Sequence, residues 1–253
     1  MPMRYVLAFL FLGLALAADA LRRWPELNGF PSIATWFLEI MSAVTFLVIA
    51  TVYRLAVSGR STERAFGGIH PVALALLPYQ AFAAFILWAS VRLGREDMMN
   101  EVVPGVYLGR LPFTADRSRL EDSSIGGVLQ LCAEFPNLSG LWTVRRMEVV
   151  ILPILDGLPP SADQFSMAIK AVAHWRSEGR IVLIHCAQGH GRGAVITAAI
   201  LVACGFADEV VEALEIVRRA RPGARPSKNQ TLALAHYFEG HAPSGSGGNE
   251  RIC

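Results

Sequence analysis

Charge is scarce in this 253-residue chain. Asp, Glu, Lys and Arg make up 17% of it, against roughly 25% in ordinary soluble domains. The 23 basic and 21 acidic residues leave a net charge of only +2. There is no basic excess to hold a polyanion, so the composition argues against nucleic acid as a partner. Cysteine is also sparse. The four thiols, Cys132, Cys186, Cys204 and Cys253, show no C-x-x-C spacing. They point neither to a metal site of paired cysteines nor to a dense disulfide framework. No internal repeat is visible, which excludes a solenoid.

Apolar residues are abundant, at 53% of the chain, and they gather at the front. Tyr5 to Ala18 is almost wholly apolar. Ile33 to Val57 is apolar apart from Glu39, a few hydroxyls and Arg54, and Pro71 to Val91 is apolar around Gln80. The last two match the roughly 20 residues a bilayer span needs. The expectation is an all-helical transmembrane region over residues 1–93, with spans at 5–21, 33–57 and 71–92. Arg4, the first apolar run and Ala18-Asp19-Ala20 also fit a cleavable signal peptide. Glu39 and Gln80 would be expensive in lipid, but a helix end or a neighbouring helix can satisfy either.

The positive-inside rule does not orient these spans. Arg22, Arg23, Arg92 and Arg95 stand on one side, against Arg4, Arg54, Arg60 and Arg64 on the other. A reactive thiol keeps best in a reducing compartment. The expectation is therefore an integral membrane protein with its C-terminal part in the cytoplasm.

Residues 94–101 are polar and read as a linker. Beyond them, apolar segments of strand length alternate with helical ones. Strands are expected around Val106 and Leu108, at Gly127–Leu131, Val149–Leu155 and Ile181–Ile184. Helices are expected at Asp116–Glu121, Ala162–Glu178 with Ser161 as N-cap, Ala194–Ala203, Asp208–Ala220 and Asn229–Phe238. This alternation defines an α/β layered domain over residues 102–240. The Gly- and Ser-rich remainder, 241–253, reads as a disordered tail.

Within that domain His185 to Gly193 reads H-C-A-Q-G-H-G-R-G, between a β-branched strand and an Ala-rich helix. Glycines let such a loop curl so that several N–H groups point into one bowl. The following helix adds its positive end. Arg192 can grip two oxygens of a phosphate with its fork of donors. The same field favours the thiolate of Cys186 at the base of the bowl. Ala187, Gln188, Gly189, His190, Gly191 and Gly193 would line the phosphate. The bland alternative is a Gly-rich turn around a buried thiol.

Cleaving a phosphomonoester also needs a proton for the leaving oxygen. Asp156, in L-P-I-L-D-G-L-P-P-S, lies 30 positions before Cys186 at a strand end, on a Gly/Pro loop able to swing. An ordinary turn aspartate is the alternative. Asp163 is the runner-up, in the first turn of a helix, where acids are common for dipole reasons alone.

The nine-residue loop resembles the signature of the cysteine-dependent phosphatases, a Cys-x5-Arg preceded by His. From about Val102 to Phe238 the chain resembles dual-specificity phosphatase domains. The matching pieces are P-G-V-Y-L-G, the acid loop, the signature loop and R-R-A-R-P-G-A-R-P-S-K-N-Q at Arg218 to Gln230. The membrane spans, V-x-x-Y-L-G-R-L-P and V-L-Q-L-C-A-E-F-P resemble bacterial membrane-attached members.

The resemblance implies a cysteine-phosphatase-type fold, a central sheet flanked by helices. It implies a phosphocysteine intermediate on Cys186, Arg192 as phosphate clamp, Asp156 as acid and His185 as an organiser of the loop. No metal or other cofactor is implied. The expected substrate is a phospholipid headgroup phosphate, with a phosphoprotein as the alternative. In one respect the chain departs from the family: Gly193 stands where Ser or Thr usually helps release the intermediate. That leaves an inactive phosphate-binding adaptor at the membrane as a third reading.

Overall fold

The computed structural model describes residues 32–57, 71–93, 97–135 and 147–240. The chain divides into two units, Met1–Ile86 and Leu87–Cys253. The expected span at 5–21 and the expected tail at 241–253 lie outside the described residues.

Two of the three expected apolar segments are helical, α1 at Ser32–Val57 and α2 at Pro71–Arg92. Ile49, Val52 and Tyr53 are buried on α1, and Leu76 and Tyr79 on α2. Pro78 lies within α2 without ending it. Side chains are described for only part of each helix. Over the described residues, no helix is long and apolar enough to cross a membrane.

The second unit is built on a five-stranded mixed sheet in the order β1-β2-β5-β3-β4. Its strands are β1 Met99–Val103, β2 Val106–Gly109, β3 Ile125–Cys132, β4 Glu148–Ile154 and β5 Ile181–His185. Only β1 runs antiparallel to its neighbour; β2, β5, β3 and β4 are parallel. The expected linker and single strand need correction. Met99 to Val103, three of whose five residues fall in 94–101, pairs with β2 as a hairpin. Its turn is Pro104-Gly105, where proline presets one corner and Gly105 takes φ +78 at the next. The polar side chains of Asn100 and Glu101 conceal the strand because β1 is an edge strand.

The helices fall close to where periodicity puts them. They are α3 Arg117–Asp122, α4 Ala162–Ser177, α5 Arg192–Ala203, α6 Val210–Ala220 and α7 Lys228–Gly240. Ser161 does cap α4: its hydroxyl accepts from Gln164 N–H, and the Gln164 side chain returns a bond to Ser161 N–H. Helix α5 is buried along Arg192 to Val202, as its apolar circumference requires. Trp175 of α4 lies directly over Gly127 of β3, where an added Cβ would come within 2.5 Å of the indole.

Parallel strands all point their C-terminal ends the same way. The chain leaves β2 at Arg110, β3 at Ala133, β4 at Leu155 and β5 at Cys186 along one edge of the sheet. In open α/β sheets this edge is where ligands bind.

Candidate active site

The loop after β5 is held from outside by its carbonyls. Ala187 O accepts from Leu111 N–H at 3.0 Å, and His190 O from Arg225 N–H at 2.8 Å. Gln188 O accepts from the Arg221 guanidinium at 2.7 Å. Gly191 O accepts the Val195 N–H that starts α5. Across a planar trans peptide, a carbonyl and the next N–H point opposite ways. Four outward carbonyls therefore turn the N–H groups of Gln188, Gly189, Gly191 and Arg192 inward. This is a concave nest of donors suited to an anion.

Cys186 sits at its base, 3% exposed and unbridged. Gly189 N–H donates to Cys186 Sγ at 3.2 Å. Gly189 has φ +75, and an added Cβ would lie 2.6 Å from Gly109 O. Conformation and space both demand glycine there.

Arg192 is buried, and its five donors can be accounted for. Nη1 donates to Glu134 Oε2 at 2.7 Å and to Ile154 O at 2.8 Å. Nη2 reaches Glu134 Oε1 at 2.6 Å and Asp156 Oδ1 at 3.1 Å. Nε is buried and meets no hydrogen-bond partner among the described residues. Burial disfavours the Arg192 charge, but Glu134 first and Asp156 second outweigh it and raise the pKa.

Sequence reasoning gave Glu134 no role, although it lies in the V-L-Q-L-C-A-E-F-P segment. Its position was the usable signal: an acidic residue just beyond a buried parallel strand, at the sheet edge that carries Cys186. Gln130 helps hold its turn by donating to Phe135 O at 2.9 Å. Arg221 was missed as well. It bridges Gln188 O to Asn100 Oδ1, at 2.5 Å, and to Asp97 O.

Asp156 is the partly exposed member of the cluster, with 27% of its side chain accessible. It stands at the corner of a turn closed by Leu158 N–H to Leu155 O at 3.1 Å, with Gly157 at φ +74. Asp163 stays exposed in the first turn of α4.

His185 is fully buried, and its pKa is lowered to about 4. Burial is the main cause, and the Arg192 charge acts the same way, against a backbone hydrogen bond at Cys186. The ring is neutral at pH 7, which suits an organiser rather than a cation. Cys132, behind the site at the end of β3, has its thiol pKa raised by burial and then by Glu134, with Arg192 opposing.

Gln188 and His190 are half-buried at the mouth. The His190 ring rests on Gly223, where an added Cβ would lie 2.4 Å from Nε2. A Cβ on Gly193 would come 3.5 Å from Cys186 Sγ and 2.8 Å from Leu108 Cδ1. Leu108 thus fills the space a hydroxymethyl group would need. No cluster of metal-ligating side chains occurs among the described residues.

Residues 98–236 match the family described as "PTP-SAK: Swiss Army Knife protein, DSP-PTPase phosphatase domain". The chain belongs to this family, and residues 98–236 form a domain of the dual-specificity/protein-tyrosine phosphatase superfamily of cysteine-dependent phosphatases. Dual specificity protein phosphatase 12 of Mus musculus is 33% identical over 144 residues, covering 54% of this chain and 40% of the mouse protein. Phosphatidylglycerophosphate phosphatase PTPMT2 of Arabidopsis thaliana is 30% identical over 150 residues, covering 58% of this chain and 64% of the plant protein. The chain thus spans well under two thirds of the first of these relatives and slightly under two thirds of the second.

Among solved structures, the active form of Tk-PTP superposes with a TM-score of 0.52 at 29% identity, covering 56% of this chain and 97% of the other. The fold of PTPMT1 superposes at 0.53 with 22% identity, over 57% of this chain and 96% of the other.

Proposed function

We propose that the protein hydrolyses the phosphomonoester of a phospholipid headgroup through a phosphocysteine intermediate. The observation that carries the mechanism is convergence at one sheet edge. Cys186 Sγ lies in a nest of N–H groups, and Arg192 reaches from the same loop to within 3.1 Å of Asp156.

In the first step the Cys186 sulfur attacks phosphorus. An S–P bond forms, the P–O bond to the leaving group breaks, and Asp156 gives its proton to the departing oxygen. In the second step water attacks the phosphocysteine. Asp156 takes the proton, phosphate leaves and the thiolate returns. The inward N–H groups and Arg192 stabilise the charge on the equatorial oxygens in both steps. Arg192 can offer phosphate its Nε at once. It can offer Nη2 only as Asp156 lets go, so phosphate binding would free the acid for its task.

The lipid substrate is supported by the names of two relatives, the Arabidopsis phosphatidylglycerophosphate phosphatase PTPMT2 and the Homo sapiens phosphatidylglycerophosphatase and protein-tyrosine phosphatase 1, 28% identical over 140 residues. Membrane attachment, with the phosphatase domain on the cytoplasmic face, belongs to the same proposal. It rests on the apolar stretches Ile33–Val57 and Pro71–Val91 in the sequence. Tethering would hold the site at high local lipid concentration. The mouse dual-specificity relative favours a second reading, a phosphoprotein substrate.

The test is kcat/KM on a micellar phospholipid monoester against phosphotyrosyl and phosphothreonyl peptides. Preference for the lipid supports the first reading, and neglect of lipid in favour of peptide replaces it with the second. Release of the protein from membranes by alkaline carbonate would remove the anchoring part.

A further inference from the structure

Gln230, the second residue after Lys228 in α7, is buried to 2% exposure although it is polar and lies outside the phosphate nest. Each of its polar groups has a directed partner. Its Oε1 accepts from Ser227 N–H at 2.9 Å, and its own N–H donates to Ser227 Oγ at 3.3 Å. This is a reciprocal cap that fixes the side chain. The remaining group, Nε2, donates to Leu158 O at 3.0 Å across 72 residues of chain. On its other side the amide faces the signature loop: a Cβ on Gly191 would lie 3.1 Å from Gln230 Oε1.

Leu158 closes the turn whose corner is Asp156. The strand entering that turn is fixed at Ile154 O by Arg192 and at Pro153 O by the Gln164 side chain, at 2.8 and 2.9 Å. The exit, a Gly157–Pro160 stretch, has Gln230 as its polar anchor. We propose that Gln230 is a positioning residue for proton transfer: it holds the exit of the acid turn against the signature loop, so that Asp156 stays over the phosphorus site. The inference rests on Asp156 being the general acid.

The chemistry supplies a readout that general loosening of the fold would not mimic. An alkyl alkoxide needs a proton to leave, whereas p-nitrophenolate leaves without one. A misplaced acid therefore penalises alkyl monoesters selectively. A weakened nest penalises all monoesters alike.

The experiment compares Gln230→Glu and Gln230→Met with wild type and Asp156→Asn in the full chain. Alkyl and aryl phosphates of graded leaving-group basicity are the substrates. Gln230→Glu retains the acceptor that caps α7 and loses the donor to Leu158 O, so it carries the test if Gln230→Met does not fold. The expected result is a loss about ten-fold larger on alkyl than on aryl monoesters, a fraction of the 10²–10⁴ that a positioned acid contributes. The double variant with Asp156→Asn should show no further leaving-group dependence. A Gln230 variant with equal losses on both classes, or with none, overturns the proposal while leaving Asp156 its role. A flat Asp156→Asn profile overturns the acid assignment and the tether with it.

Discussion

Glu134 and Arg192 face each other through two hydrogen bonds of 2.7 and 2.6 Å, with both side chains almost fully buried. The pair joins the end of β3 to the first residue of α5. It leaves Nη2 3.1 Å from Asp156 Oδ1, while the buried Nε has no hydrogen-bond partner among the described residues.

Removing one side of a buried ion pair leaves the other charge uncompensated, which destabilises by about 3–5 kcal/mol. Glu134→Gln keeps the shape and removes the charge. It should lower the melting temperature and reduce kcat/KM by more than about ten-fold through a mobile Arg192. Thermal denaturation and steady-state kinetics check both. Unchanged kinetics would show that Arg192 does not need this partner.

Gly189→Ala meets two obstacles, a positive φ and a carbonyl 2.6 Å from the new methyl. The nest should open and the N–H on Cys186 Sγ should be lost. An activity loss of about a hundred-fold or more is expected from displacement on that scale, with weakened binding of inorganic phosphate measured by calorimetry.

Gly193→Ser would bring a Cβ within 3.5 Å of Cys186 Sγ but only 2.8 Å from Leu108 Cδ1. Alone it should destabilise by about 1–3 kcal/mol from overpacking. Combined with Leu108→Val, the hydroxyl gains room beside the sulfur and should speed breakdown of the phosphocysteine. Rapid-quench kinetics would show a smaller burst of leaving group relative to the steady rate. An unchanged burst would mean that the hydroxyl is not needed here.

His185 sets a pH dependence. Its folded pKa is about 4, below the ordinary 6.5. The unfolded chain thus binds the proton first as pH falls, so stability is full above 6.5 and is lost between about 6.5 and 4. The loss from this one group amounts to roughly 3 kcal/mol at the acid end. Denaturant unfolding across that range checks it, with His185→Asn expected to flatten the His185 part of the slope.

Much of this unit was legible in the sequence because its signals are local. The β-branched run Ile181–Ile184, the glycines after it and the Ala-rich helix define strand, nest and helix without tertiary information. Arg192, six positions after Cys186, has its Nη2 3.1 Å from Asp156 Oδ1. Strand β1 was not legible, because an edge strand with Asn100 and Glu101 lacks an apolar pattern. Glu134, Arg221 and Gln230 were not read as parts of the site, since their contacts span 58, 33 and 72 residues of chain. No periodicity records such pairings. The apolar front of the chain signals helices at α1 and α2, while crossing a membrane remains part of the functional proposal.

The most direct test of the central claim follows the phosphoryl group itself. Full-length protein carrying Asp156→Asn is mixed with a phospholipid monoester labelled in its terminal phosphate, quenched in acid and mapped by proteolysis. The account predicts label on the peptide containing Cys186, and none when Cys186→Ser is added. Phosphate released from the lipid with no label on that peptide, or label acquired only from phosphopeptides, would contradict it.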